Sequence, residues 1–167
     1  NWVEYCNGTQ DTFYANLRRS HGYPEPFGVK YWCLGNEMYA AWQFGYMDAG
    51  EYAERAEHFA SAMQLADPAI HLTAVGLETD PDWNVTVVRR LSAEKTRFSP
   101  GKWIGALSAH YYPIGCAGAF EGTDYETRMA LSTFFHERTM LMHSAIQVAS
   151  NDAQPDISIA WDEWNPM

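Results

Sequence analysis

Short apolar runs alternate with longer amphipathic segments along most of this chain, and that alternation constrains its fold more than any other feature. Each apolar run is rich in β-branched or aromatic residues, as buried strands are. Strands separated by helices pair in parallel, because a parallel connection needs a crossover of about a dozen residues or more. The pattern therefore predicts an α/β fold with helices outside a parallel sheet. The predicted strands cover 29–34, 70–75, 103–109 and 157–161, and residues 2–6 are predicted as the end of a further strand.

The amphipathic segments carry the start and stop signals of helices. Asp48 opens the longest segment with Glu51 at the capping-box spacing, and Asp67-Pro68 ends it. Asp11 is the predicted N-cap of a shorter helix near the N-terminus. The predicted helices cover 11–19, 48–66, 82–95 and 124–149, and a glycine-rich loop is predicted over 115–122.

Polar side chains suited to chemistry directly follow three of the predicted strands. Asn36-Glu37 follow the first, residues 110–112 (His-Tyr-Tyr) follow the third, and Asp162-Glu163 follow the last. The carboxyl ends of parallel strands share one edge of a sheet, and in a (β/α)8 barrel that edge carries the active site. A doubly wound sheet uses the same edge. Position alone therefore leaves both architectures open.

Two carboxylates at one edge of a sheet suit the cleavage of a glycosidic bond. That reaction needs one protonated and one ionised carboxyl group on opposite sides of a sugar carbon. A single glutamate after a strand is more often a solvated loop residue or a helix cap. Glu37 and Glu163, however, form a pair, and each lies beside an Asn or a Trp. The pair therefore favours a catalytic interpretation.

Composition and motif spacing exclude several other partners and chemistries. The formal net charge of −10 would repel nucleic acid. No apolar run approaches the roughly 20 residues of a membrane span, so we expect no membrane partner. The N-terminus lacks a signal-peptide layout, but this has little weight in a chain that is expected to begin within a domain. The expected location is cytoplasmic. His136-Glu137 lacks the second histidine of a zinc-binding HExxH helix, and no phosphate loop or serine-hydrolase elbow occurs. We expect neither a metal nor a cofactor.

Two motifs resemble glycoside hydrolase family 51, the α-L-arabinofuranosidases of clan A. Residues 30–38 (KYWCLGNEM) contain the Gly-Asn-Glu of that family's acid/base motif after barrel strand four. Residues 161–165 (WDEWN) contain the Asp-Glu-Trp-Asn of its nucleophile motif after strand seven. The predicted strands agree with this count if 29–34 is strand four. Segments at 2–7, 42–45, 67–68 and 110–112 extend the resemblance over nearly all of the chain.

The resemblance implies a partial (β/α)8 barrel, roughly strands three or four to seven, with residues 1–167 forming a single partial catalytic domain. A complete barrel takes about 250 residues. We therefore expect fewer than eight strands here, with strands one and two, strand eight and the family's C-terminal β-sandwich outside this sequence.

The resemblance also implies a retaining glycoside hydrolase that releases α-L-arabinofuranosyl residues from arabinose-containing oligosaccharides or polysaccharides by double displacement. Glu163 would be the nucleophile, with Tyr112 as a hydrogen-bond donor to it. Glu37 would be the general acid/base, and the nearby Glu163 charge would raise its pKa. Asn36 would bind the sugar's 2-hydroxyl, and His110 would orient Glu37 or the sugar. The predicted substrate-binding residues are Asn36, Trp42, His110, Tyr112 and Trp164.

Two alternatives stay open at this point. Another clan A retaining glycosidase, a β-xylosidase or an endoglucanase, would use the same pair of carboxylates. A non-catalytic carbohydrate-binding fragment would use the aromatic residues alone. Residues 39–41 (Tyr-Ala-Ala) replace the Asp-Gly-Pro-like turn that is more usual in the family, so the preferred sugar and linkage are open. The resemblance also admits a homo-oligomer of the full-length protein.

Overall fold

Four strands and six helices make up the part of the chain that a computed structural model describes, which is residues 1–92, 103–112, 125–150 and 156–164. In chain order they are α1 (Trp2–Asn7), α2 (Phe13–Ser20), β1 (Tyr31–Cys33), α3 (Ala49–Ala66), β2 (His71–Ala74), α4 (Pro81–Leu91), β3 (Ala106–Tyr111), α5 (Tyr125–Leu131), α6 (Phe134–Ser150) and β4 (Ser158–Trp164). The predicted glycine-rich loop at 115–122 lies outside the described residues.

The four strands form one curled parallel sheet. Their order is β1-β2-β3-β4, and each strand pairs in parallel with the next one along the chain. The two edge strands nevertheless approach each other, since Cys33 Sγ lies 3.8 Å from Asp162 Oδ2. The sheet therefore curves like part of a barrel wall, and the predicted α/β fold with parallel strands is confirmed.

The core lies between the convex side of this sheet and helices α3, α4 and α6. Tyr52 of α3 is buried there, and its hydroxyl donates to the Leu34 carbonyl oxygen at 3.0 Å and accepts from the Val75 amide at 2.7 Å. This hydroxyl ties the ends of β1 and β2 together. The fully buried side chains of the core include Leu72, Val87, Leu91, Leu107, Met142 and Ile146. Among the described residues, no helix combines the length and the apolar character needed to cross a bilayer.

The N-terminal segment differs from its prediction. Residues 2–6 form the helix α1 rather than the end of a strand. Val3 and Cys6 are its buried side chains, and their spacing of three residues is that of one helix face. Asp11 does not cap α2, because Thr12 is the N-cap residue and Asp11 Oδ1 accepts a hydrogen bond from Asn16 Nδ2 at 2.6 Å.

Helices α3 and α4 match their predictions except at their ends, whereas the last predicted helix is divided. Asp48 accepts a hydrogen bond from the Glu51 amide and caps α3 as predicted. The single helix predicted over 124–149 is divided into α5 and α6. The division falls at Ser132 and Thr133, whose hydroxyls donate to carbonyl oxygens three residues earlier. Such local hydrogen bonds compete with the continuing helix.

Gly76 lies where the end of β2 passes close to β3. A methyl group at this position would lie 2.3 Å from the Ser108 carbonyl oxygen and 2.8 Å from Met142 Cε. We expect Gly76→Ala to lower the free energy of unfolding by about 1–3 kcal/mol, as overpacking of a core does. Urea denaturation followed by tryptophan fluorescence would measure it. Gly105→Ala is the control, because a methyl group there meets no atom within 4 Å, and an equal loss in both variants would contradict the prediction.

Candidate active site

Glu37 lies in the loop after β1, in a backbone conformation that few residues other than glycine adopt. Its φ angle is +45°, and Gly35 before it has a φ of +107°. A non-glycine residue in this region costs about 1–3 kcal/mol and persists where the surroundings fix it. Here the carboxylate itself is fixed, because it accepts hydrogen bonds from Trp42 Nε1 at 3.0 Å and Gln43 Nε2 at 3.3 Å. The loop that follows Glu37 therefore folds back to hold its side chain.

A shift in strand register brings two successive acidic side chains to the same place. Ala109 pairs with Trp161, but His110 pairs with Glu163, so Asp162 is an extra residue in β4. Successive side chains of a regular strand point to opposite faces, whereas a bulge re-aims one of them. As a result Asp162 and Glu163 both reach His110.

His110 is buried at the centre of the site, and both of its ring nitrogens face carboxylates. Its Nδ1 lies 3.1 Å from Glu37 Oε1 and 3.5 Å from Glu163 Oε2. Its Nε2 lies 3.3 Å from Asp162 Oδ1. One side chain of β3 thus connects the loop after β1 to β4.

The two predicted catalytic carboxylates lie close together. One oxygen of Glu37, one oxygen of Glu163 and one nitrogen of His110 all lie within 4.8 Å of one another. The Tyr112 hydroxyl donates to Glu163 Oε2 at 3.0 Å, which is the hydrogen bond predicted from the sequence. Two carboxylate oxygens and one imidazole nitrogen could coordinate a cation. However, Trp42 and Tyr112 already donate hydrogen bonds to the carboxylates, and we assign no metal.

The electrostatic environment of Glu37 is the opposite of the one predicted. Burial alone would raise the pKa of this carboxyl, but hydrogen bonds from His110, then from Trp42 and Gln43, together outweigh burial and lower its pKa. The predicted raised pKa is therefore wrong for the free protein. Glu78, in the loop after β2, behaves differently, because burial raises the pKa of its carboxyl. The site thus holds carboxyl groups in two contrasting environments.

The remaining predicted residues lie around this cluster. The Trp42 ring is 76% exposed although its Nε1 is engaged by Glu37. Asn36 and Trp164 are also exposed, and within the described residues neither forms a hydrogen bond with Glu37 or Glu163. The structure therefore brings Glu37, Glu163, His110, Tyr112 and Trp42 together and leaves Asn36 and Trp164 at the periphery.

Three residues at the site are not among the predicted catalytic or substrate-binding residues. Gln43 follows Trp42 directly, but the predicted residues include only the tryptophan of that pair. Asp162 precedes Glu163, but regular strand alternation places neighbours on opposite faces. Glu78 follows β2 in the same way as Glu37 follows β1, and its position after a strand was the available signal.

Comparisons with known proteins agree with one another. The family described as "Alpha-L-arabinofuranosidase 1 domain" matches residues 1–130. The probable alpha-L-arabinofuranosidase C of Aspergillus fumigatus is 33% identical over 165 residues, which is 98% of this chain and 33% of that protein. The intracellular exo-alpha-(1->5)-L-arabinofuranosidase 1 of Bacillus subtilis is 45% identical over 93 residues, or 53% of this chain and 19% of that protein. The chain thus spans about a third of the length of the Aspergillus relative.

Solved structures show the same likeness. The α-L-arabinofuranosidase of Thermotoga maritima, in its arabinose complex, has a TM-score of 0.82 and 37% sequence identity, over 98% of this chain and 30% of that one. The thermostable GH51 α-L-arabinofuranosidase of Thermotoga petrophila gives the same TM-score and identity, over 98% of this chain and 31% of that one.

Proposed function

Because the chain belongs to the α-L-arabinofuranosidases of glycoside hydrolase family 51, we propose that it carries the catalytic pair of a retaining enzyme that releases α-L-arabinofuranosyl residues from arabinose-containing substrates. The observation that carries the proposal is the approach of Glu37 and Glu163 to within 4.8 Å, through oxygens that also neighbour His110. The chain would supply strands four to seven of a (β/α)8 barrel, as part of its catalytic domain.

The spacing of the carboxylates favours retention over inversion. Retaining glycosidases hold their two carboxyl groups about 5–5.5 Å apart, whereas inverting ones leave about 6.5–9.5 Å for a water molecule. The separation of the nearest Glu37 and Glu163 oxygens falls on the shorter side of this division. A sugar carbon would fit between the two groups, but a sugar and a water would not.

Glu163 is the nucleophile in this proposal. It attacks the anomeric carbon and forms a covalent glycosyl-enzyme, which requires the ionised form. The hydrogen bond from the Tyr112 hydroxyl favours that form and fixes the carboxylate oxygen at 3.0 Å. The register shift in β4 contributes as well, because it turns Glu163 towards His110.

Glu37 is the general acid/base. It protonates the leaving oxygen in the first step and removes a proton from water in the second. Trp42 holds one oxygen of this carboxylate and presents an exposed ring beside it, where the apolar face of a sugar could pack. Asn36 would bind the 2-hydroxyl, and Trp164 would border the pocket.

The test is a comparison of two chromogenic substrates with the complete polypeptide that carries this sequence. We expect nitrophenol release from the α-L-arabinofuranoside, and little or none from the β-D-xylopyranoside. Faster release from the xylopyranoside would favour the β-xylosidase alternative. Binding of arabinan without turnover of either substrate would favour the non-catalytic one. A cytoplasmic location is proposed from the likeness to the Bacillus subtilis protein, whose name calls it intracellular.

A further inference from the structure

The buried imidazole of His110 has acceptors on both sides. Nδ1 faces Glu37 and Glu163 at 3.1 and 3.5 Å, and Nε2 faces Asp162 at 3.3 Å. An ionised carboxylate only accepts hydrogen bonds, while a neutral imidazole donates from only one nitrogen. A neutral ring would therefore turn a lone pair towards a carboxylate on one side. Only the doubly protonated ring donates to both.

Asp162 is held in place to face Nε2. It is the extra residue of the register shift, which lets it share the site with Glu163. Its other oxygen, Oδ2, accepts from the Cys33 thiol at 3.8 Å. Burial and the Asp162 charge both raise the pKa of this thiol, so the thiol keeps its proton and remains a donor. Asp162 is thus fixed from β1 on one side and directed at His110 on the other.

The other charged groups around His110 are mostly acidic. Glu78 lies in the loop after β2, and its carboxyl interacts electrostatically with Arg138, His110 and Glu37. Arg138 of α6 is a basic side chain that interacts with Glu78. Carboxylate oxygens of Glu37, Asp162 and Glu163 thus lie within 3.5 Å of the His110 ring nitrogens. The titratable groups facing this region from the elements packed against it are Glu37, Tyr39, Glu78, Tyr112, Asp162 and Glu163.

We propose that, in the resting protein, His110 Nδ1 stores the proton used in general acid catalysis, and that Asp162 is the positioning residue that keeps it there. This inference rests on the proposed function of Glu37 and Glu163. The proton on His110 Nδ1 is a source for Glu37. Glu37 needs such a source because its own hydrogen bonds favour its ionised form.

The proton is conserved over the two chemical steps. As Glu163 bonds to the anomeric carbon, it loses its negative charge. Its electrostatic attraction for the proton on His110 Nδ1 therefore weakens. The proton moves from Nδ1 to Glu37 Oε1, and Glu37 passes it to the glycosidic oxygen as the carbon–oxygen bond breaks. In the second step, water bonds to the anomeric carbon and the ester bond to Glu163 breaks. The proton lost by water goes to Glu37 and returns to Nδ1.

The protonation state of His110 can be measured without turnover. Nitrogen NMR of the complete polypeptide labelled with ¹⁵N-histidine distinguishes a doubly protonated ring from a neutral one, and His110→Gln identifies the signal. At pH 7 we expect the doubly protonated ring in the unaltered protein and a neutral ring in Asp162→Asn. Asp156→Asn makes the same charge change just before the opposite end of β4 and should leave the signal unchanged. A neutral His110 in the unaltered protein, or a doubly protonated one in Asp162→Asn, overturns the proposal.

Kinetics supply the second readout. Asp162→Asn should lower kcat/KM about tenfold or more for substrates with poor leaving groups, which need the acid, and spare those with good ones. The alkaline limb of its pH profile should move to lower pH. Asp162→Glu should restore part of the loss, and Cys33→Ala, which acts through Asp162, should shift the profile less. An unchanged profile in both Asp162→Asn and Cys33→Ala also overturns the proposal. A doubly protonated His110 in a protein without turnover would contradict the proposed function but not the protonation of His110 maintained by Asp162.

Discussion

Glu163→Ala is expected to lower kcat on aryl α-L-arabinofuranosides by about 10⁴-fold or more, the scale on which loss of a nucleophile acts. Alanine leaves space where the carboxylate was, beside the Tyr112 hydroxyl. Azide can enter that space and attack the anomeric carbon while Glu37 still protonates the leaving group. Azide should therefore restore turnover and give a glycosyl azide of inverted configuration, as product analysis by NMR would show.

The control for this variant is Glu25→Ala, which removes an exposed glutamate from the segment between α2 and β1. It should retain normal activity. Near-normal activity in Glu163→Ala, or an azide product of retained configuration, would show that Glu163 is not the nucleophile.

Glu37→Ala is expected to separate the two chemical steps. A substrate with a good leaving group needs no acid, so the first step should stay fast. The second step loses its general base and should slow by about 10²–10⁴-fold. Stopped-flow absorbance should then show a burst of phenol followed by slow turnover. Substrates with poor leaving groups should lose activity without a burst.

Backbone effects should contribute little to this result. Alanine, like glutamate, is disfavoured at the positive φ of position 37, so the substitution changes the carboxylate more than the loop. Gln43→Ala is the matched control, because it removes one neutral donor to Glu37 and leaves the carboxylate in place. Equal losses for good and poor leaving groups in Glu37→Ala would contradict the assignment.

The fold could be predicted where local signals were long enough. The alternation of apolar runs and amphipathic segments gave parallel strands, and the Asp48 cap gave the start of α3. The six residues of α1 are too few to show a helical period, and residues 2–6 are predicted as the end of a strand. The division between α5 and α6 depends on hydroxyls that bond within their own turn, which a hydrophobic pattern does not record.

The site could be predicted as far as regular geometry determines it. Glu37, His110, Tyr112 and Glu163 meet because parallel strands end at one edge. Asp162 could not be placed, because its orientation depends on a register shift between two strands, which is a tertiary property. The lowered pKa of Glu37 depends on donors from a loop that folds back onto it.

The order of pairing in the sheet has a consequence for biosynthesis. Each described strand after β1 pairs with the one made just before it, so the sheet can grow from the ribosome one crossover at a time. The carboxylates of the proposed catalytic pair come from the loop after the first of these strands and from the last strand itself. A nascent chain that has completed β1 to β3 would still lack Glu163 and would be inert. Sugar cleavage would begin only when β4 docks, so activity itself would report that this sheet is complete.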